Sequence, residues 1–106
     1  MPCGNEGERT LAYQCLADGL TGFEQEYRFA PPRRYRLDLA FPARRIGIEI
    51  EGAVWSKGAH SRPVGILRDM EKGNLLTLSG WRVLRYTPAQ VANGSALLGL
   101  KQLLKG

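Results

Sequence analysis

Two short segments in which apolar and polar residues strictly alternate constrain the fold more than any other feature of the chain. Residues 35–41 carry apolar side chains at the odd positions, and residues 45–51 carry them at the even positions. This period of two is typical of strands with one buried face. The connection between them, residues 42–45, is short enough for a hairpin. The sequence therefore predicts two adjacent antiparallel strands.

The register of this hairpin determines which charged side chains become neighbours. Pairing Phe41 with Ile46 places Asp38 opposite Glu49. A slip of the register by one residue would bury the polar face of a strand, so it is excluded. A slip by two residues would still leave Asp38 on the same face as Glu49 and Glu51. We expect the apolar face of the hairpin to consist of Tyr35, Leu37, Leu39, Phe41, Ile46, Ile48 and Ile50.

The remaining elements follow from periodicity and from glycine and proline positions. Helical spacing predicts helices at about residues 6–17, 64–79 and 88–104. Further strands are expected at residues 24–29 and 81–87. In the second helix we expect the apolar side to be Leu67, Met70, Leu75 and Leu78. The predicted order is α-β-β-β-α-β-α, an α/β fold in a single domain of residues 1–106.

Composition excludes several classes of protein. The chain has 106 residues, of which 43% are hydrophobic, and no apolar run approaches a membrane span. Two cysteines and one histidine make a Cys/His zinc site or a disulfide framework improbable. The N-terminal residues lack the pattern of a secretory signal. A cytoplasmic protein without a membrane partner is expected.

The positive charge is concentrated in the centre of the chain. The formal net charge is +5, and residues 28–72 hold ten basic residues against five acidic ones. A local basic excess indicates an anionic partner, with nucleic acid the first candidate. A surface that only favours solubility is the alternative interpretation.

Three carboxylates on one face of the hairpin, those of Asp38, Glu49 and Glu51, would repel one another. A divalent cation such as Mg²⁺ would offset the repulsion, and the backbone carbonyl of Ile50 is placed to complete its ligands. A salt bridge from Arg36, which faces Glu51 in the expected register, would offset it as well. The residues alone leave both interpretations open.

The order and spacing of these residues resemble a known superfamily. Asp38 is followed after ten residues by Glu49-Ile50-Glu51, on a hairpin between two helices. Supporting stretches are residues 26–29, 34–38, 48–52, 69–72 and 80–85, with Trp55 and His60. Together they resemble the PD-(D/E)XK nucleases, and most of all the small phage and bacterial proteins akin to very-short-patch repair endonucleases. The resemblance implies a restriction-endonuclease-like α-β-β-β-α-β core, with a central mixed sheet flanked by helices.

The resemblance also implies an activity, that of an endodeoxyribonuclease dependent on Mg²⁺, for which Mn²⁺ would substitute. Its metal ligands would be Asp38, Glu49 and the Ile50 carbonyl, with Glu8 as an additional acid nearby. Glu51 stands where the superfamily usually has lysine, and it would orient the metal or its water. Lys72, or as second choice Lys57, would supply the missing cation.

Other candidates have alternative interpretations. His60 is a possible catalytic or phosphate-contacting residue, or a solvated loop histidine. Glu8 is equally explained as a helix cap, and Lys72 as the helical partner of Asp69. The expected DNA contacts are Arg33, Arg34, Arg36, Arg44, Arg45, Lys57, Arg62 and Arg68.

Three functions remain open at the level of the whole chain: the nuclease, an inactive DNA-binding module on the same scaffold, and a salt-bridged protein-interaction domain. Cleavage of DNA junctions, unlike simple nicking, would require a homodimer.

Overall fold

A four-stranded mixed sheet with helices on both faces makes up the fold. The computed structural model describes residues 4–52 and 63–106. In the sheet the strands lie in chain order: β1 (Glu24–Arg28), β2 (Arg36–Phe41), β3 (Ile46–Ile50) and β4 (Arg82–Tyr86). The helices are α1 (Gly4–Ala17), α2 (Pro63–Leu78), α3 (Pro88–Ala92) and α4 (Ser95–Lys105). The predicted α/β class is confirmed.

The hairpin of β2 and β3 has the predicted register. Leu39 pairs with Ile48, and Phe41 pairs with Ile46. A short 3₁₀ turn, Pro42–Arg44, connects the strands, and Arg45 follows it in the left-handed conformation with φ of 54°. β1 adds to β2 antiparallel, whereas β4 lies parallel to β3 because α2 carries the chain back across the sheet.

One face of the sheet, which we call the apolar face, carries the larger core. Ile46, Ile48 and Ile50 alternate onto this face and are buried, as predicted. Helices α1, α3 and α4 cover it. Their buried side chains pack with those of β2 and β3 in one cluster, which includes Leu11, Cys15, Leu39, Phe41, Val91, Ala96 and Leu100. This face therefore supplies most of the hydrophobic stabilisation.

The other face, which we call the α2 face, carries a smaller apolar cluster. Its buried members are Leu37, Ala40 and Leu76, and Trp81 packs beside them against the rings of Tyr27 and Phe29. Trp81 is thus a packing residue, and Trp55 lies outside the described residues.

Leu37 is not on the predicted face. It lies in the cluster of the α2 face and packs over Gly47, where an added Cβ would come within 2.6 Å of its Cδ1. The strict alternation along β2 therefore breaks between Leu37 and Leu39. The neighbouring strand is irregular at the same place: Glu26, between the residues of β1 that pair with Leu37 and Leu39, has φ of 50°, outside the range of a regular strand.

The orientation of α2 also differs from the prediction. Leu67, Met70 and Leu78 are exposed, whereas Leu76 is buried against the sheet. The same side of the helix carries Lys72, whose ammonium group contacts Glu49 of β3. The helix covers a surface that is partly charged, so its most apolar stripe does not coincide with its buried side.

The last predicted helix is divided in two. α3 begins with a capping box between Thr87 and Gln90, and α4 begins after Gly94, whose φ is 92°. This left-handed conformation suits glycine, and it ends one helix before the next begins. None of the helices within the described ranges combines the length and apolar character needed to cross a membrane.

Candidate active site

Glu49 is the most deeply buried acid on the α2 face, at 7% exposure. In the parallel ladder it is the direct partner of Arg85 on β4, whose Nε lies 3.6 Å from Glu49 Oε1. Lys72 of α2 forms an ion pair with the other carboxylate oxygen, Oε2. Three elements, β3, β4 and α2, therefore hold this carboxylate in place.

Asp38 lies on β2 at the point where β2 and β3 part. The backbone pairing ends at Leu39 and Ile48. Beyond it, Asp38 Oδ2 accepts a hydrogen bond of 2.7 Å from the amide of Ile50. Burial raises the pKa of Asp38, while this hydrogen bond and the charge of Lys72 act in the opposite direction. Asp38 thus contacts the N–H of Ile50, and not the Ile50 carbonyl that is the predicted metal ligand.

Lys72 is the basic residue that the structure brings to these carboxylates. Burial lowers the pKa of Lys72, and the positive charges of Arg85 and Arg36 act in the same direction, while Asp38 opposes them. Its ion pair is made with Glu49, across the fold. This position agrees with the role expected for Lys72, and Lys57, the second choice, lies outside the described residues.

Glu8 approaches the site from α1. It is buried at 4% exposure, and the helix begins before it at Gly4, so its position is not that of a solvent-exposed cap. Burial raises the pKa of Glu8 to about 7, repulsion by Glu26 and Asp38 adds to this, and Arg36 opposes it. A hydrogen bond with the Glu26 side chain contributes in the raising direction. Glu8 therefore lies in a crowded group of acids.

The expected group of three hairpin carboxylates is not formed. Glu51 and Glu49 share Arg85, whose Nε lies 3.9 Å from Glu51 Oε2 and 3.6 Å from Glu49 Oε1, and Asp38 is bound to the Ile50 amide. Within residues 4–52 and 63–106, no three Asp, Glu, His or Cys side chains are grouped so that they could hold a metal ion. The alternative salt bridge is wrong too, because Arg36 pairs with Glu26 at 2.7 Å.

Sequence reasoning missed two residues of this site, Glu26 and Arg85. Glu26 binds Arg36 and lies beside Glu8, and its positive φ has no signal in the sequence, since glutamate rarely adopts it. Arg85 sits within the alternating pattern of the last strand. Its contact with Glu49 depends on the register between β3 and β4, which no local turn determines.

Six of the basic residues expected to bind DNA are described: five fall into two groups, and the sixth, Arg36, pairs with Glu26. Arg33, Arg34 and Arg68 line a cleft of about 460 Å³ together with Tyr35. Arg44 and Arg45 lie at the other end of the hairpin, where they donate to the carbonyls of Leu104 and Ser79. Arg62, Lys57 and His60 lie outside the described residues.

Comparison of the chain with protein-family models, with curated proteins and with solved structures finds no match. The functional argument therefore depends on the contacts of Asp38, Glu49, Lys72 and their neighbours.

Proposed function

We propose that this chain is a metal-dependent endodeoxyribonuclease that hydrolyses phosphodiester bonds in DNA. The observation that carries the proposal is the meeting of Asp38, Glu49 and Lys72 from three different elements at one end of the sheet. Two carboxylates and a half-buried ammonium group are the components that phosphodiester hydrolysis requires, because charge develops on the phosphate oxygens as water attacks.

The donor set suits a magnesium ion. Mg²⁺ is usually bound by one or two carboxylates, with water and substrate phosphate as its other ligands. Asp38 and Glu49 would supply the carboxylates, and the Ile50 carbonyl would be the further ligand. Supporting this, the pKa values of Asp38 and Glu8 are both raised in a partly desolvated group of acids. A bound cation would offset that repulsion, and it would lower the pKa of a bound water.

The protein's own groups would orient the carboxylates and the attacking water and would neutralise charge on the phosphate. The Ile50 amide fixes the orientation of Asp38, and Arg85 holds Glu49 from the neighbouring strand. Lys72 would exchange its contact with Glu49 for one with a phosphate oxygen when DNA binds, and so neutralise the charge that develops there. Glu51, at the end of β3, would orient the attacking water.

A DNA-binding module without catalysis is the second candidate. It is favoured by the state of Glu49, whose two carboxylate oxygens face Lys72 and Arg85. In this interpretation the cations of the protein itself, and not a metal ion, balance the acids. The two candidate functions therefore differ in the role of Asp38 and Glu49: these residues bind a metal ion in the nuclease, and they are balanced by the protein's own cations in the binding module.

A cleavage assay separates the candidates. Plasmid, branched and single-stranded DNA would be incubated with the protein and Mg²⁺ or Mn²⁺, alongside Asp38→Asn and Glu49→Gln. Asn keeps an oxygen that can accept from the Ile50 amide, so this variant removes the charge with little effect on the fold. Glu24→Gln, on an exposed residue of β1, is the matched control.

We expect each site variant to lose activity at least about a hundredfold, and the control to keep it. Cleavage that survives in both site variants would overturn the nuclease assignment. Binding of DNA without cleavage by the unmodified protein would favour the binding module. The absence of salt-dependent binding would favour a protein-interaction domain. Selective cleavage of branched DNA would indicate a homodimer, to be checked by mass in solution.

A further inference from the structure

A cleft beside the candidate active site has the composition of a phosphate-binding site. It lies between the segment that leads into β2, with Arg33, Arg34 and Tyr35, and the side of α2 that carries Arg68. Both walls continue directly into the site, since Tyr35 is three residues from Asp38 and Arg68 is one helical turn from Lys72. A ligand in the cleft would therefore extend towards the carboxylates.

Two of the four side chains that line the cleft, those of Tyr35 and Arg33, are held in position before any ligand binds. The Tyr35 hydroxyl donates to Glu71 Oε1 at 3.1 Å, and Arg33 forms an ion pair with the other oxygen of Glu71. The guanidinium of Arg33 lies 5.9 Å from the centre of the Tyr35 ring, which stacks on Phe29. This arrangement lowers the entropic cost of binding, because the side chains already have fixed positions.

Charge and size together indicate the ligand. Three guanidinium groups line the cleft, and arginine matches phosphate oxygens in a two-pronged geometry that lysine lacks. The volume of about 460 Å³ exceeds what a single phosphate needs, and it admits a sugar with its phosphate. The Tyr35 ring has Phe29 and Arg33 as neighbours, so a stacked base is less suited to this place than backbone.

The distance between the cleft and the candidate active site gives the position of the bound sugar and phosphate along a DNA strand. One helical turn separates Arg68 from Lys72 by about 6 Å, and three extended residues separate Tyr35 from Asp38 by about 10 Å. The rise of about 3.4 Å per nucleotide is measured along the helix axis, and neighbouring phosphates of one strand lie roughly twice as far apart because the backbone winds around that axis. We propose that the cleft of Arg33, Arg34, Tyr35 and Arg68 binds a sugar–phosphate unit one or two nucleotides from the phosphate that is cleaved.

The inference rests on DNA as the substrate, as in the proposed function, and its test keeps the two claims apart. A labelled DNA duplex is titrated with the protein by fluorescence anisotropy at several salt concentrations. The double variant Arg34→Gln/Arg68→Gln is compared with Lys101→Gln/Lys105→Gln on α4, which loses the same charge away from the cleft. Thermal melting confirms that both variants are folded.

We expect the cleft variant to bind about tenfold more weakly and to show a salt dependence reduced by about one ion per lost phosphate contact. The α4 variant should bind almost as the unmodified protein does. Equal weakening by the two variants would overturn the proposal, because it would reflect net charge alone.

Single neutral methylphosphonates, introduced one at a time along the strand, locate the contact. One position, one or two nucleotides from the cleaved bond, should weaken binding of the unmodified protein but not of the cleft variant. The same sensitive position in both proteins would contradict the cleft assignment. Failure of the unmodified protein to bind DNA would overturn the proposed function itself. Binding without cleavage would overturn only the nuclease, and the cleft variant would still test the phosphate contact.

Discussion

The two faces of the sheet differ in composition: one is apolar, and the other combines a small apolar cluster with charged side chains. The apolar face is covered by α1, α3 and α4 over isoleucine and leucine side chains that are fully buried. The α2 face has a small cluster around Leu37 and Leu76, next to a carboxylate, an ammonium and a guanidinium group that contact one another. The difference teaches that one well-packed face can stabilise a small domain while the other holds partly desolvated charges.

The strongest expected contrast is between a leucine of the apolar face and one on the outside of α2. Leu39→Ala should lower the free energy of unfolding by about 3–4 kcal/mol, because Leu39 is fully buried and the change leaves a cavity. Leu78→Ala should change it by less than about 0.5 kcal/mol, since Leu78 is 84% exposed. Urea denaturation of both variants measures the difference. A large loss in Leu78→Ala would show that the outer side of α2 is covered in solution.

A smaller loss of stability is expected for a substitution next to Leu37, which lies on the α2 face. Gly47→Ala would place a methyl group 2.6 Å from the Cδ1 atom of Leu37, which is itself fully buried. We expect a loss of about 2 kcal/mol from this overpacking. Leu37→Val in the same chain should recover part of the loss, so a double-mutant cycle should give a favourable coupling. Additive effects of the two substitutions would contradict the position of Leu37.

The last expected effect is a change of folding stability with pH, and it concerns the acids that face α1. The pKa of Glu8 is raised to about 7 by burial, by Glu26 and by Asp38, with Arg36 opposing. In an unfolded chain the group titrates near its ordinary value of 4.5. The folded state therefore binds the proton more tightly, and stability should decrease as the pH rises from about 4.5 to 7.

Glu8→Gln removes this titration. The stability of the variant relative to the unmodified protein should rise across the same pH interval, when both are measured by urea denaturation with a chelator present. A difference that does not change with pH would contradict the buried position of Glu8 among acids.

Alternation along the chain predicted the hairpin and its register because its causes are local. The faces of Ile46, Ile48 and Ile50, the short turn and the pairing of Phe41 with Ile46 depend on neighbouring residues only. The proximity of Asp38 to β3 followed from that register. Periodicity also gave most helix and strand limits to within two residues, since glycine and proline mark their ends.

What the sequence did not predict depends on contacts between distant segments. The side of α2 that meets the sheet carries Leu76 and Lys72, not the stripe of Leu67 and Met70. Arg85 reaches Glu49 only because β4 pairs parallel to β3. Leu37 lies on the α2 face beside the positive φ of Glu26, and neither residue type signals such a break.

The binding of a divalent cation on the α2 side of the sheet can be tested through stability, without reference to catalysis. A ligand that binds only the folded state stabilises it, by about 2.7 kcal/mol at a hundred times its dissociation constant. Millimolar Mg²⁺ or Mn²⁺ should therefore raise the melting temperature of the unmodified protein and of Asp18→Asn, a control on the surface pair with Lys101. It should leave that of Asp38→Asn unchanged. Equal responses of all three proteins, or none in the unmodified one, would contradict the cation site.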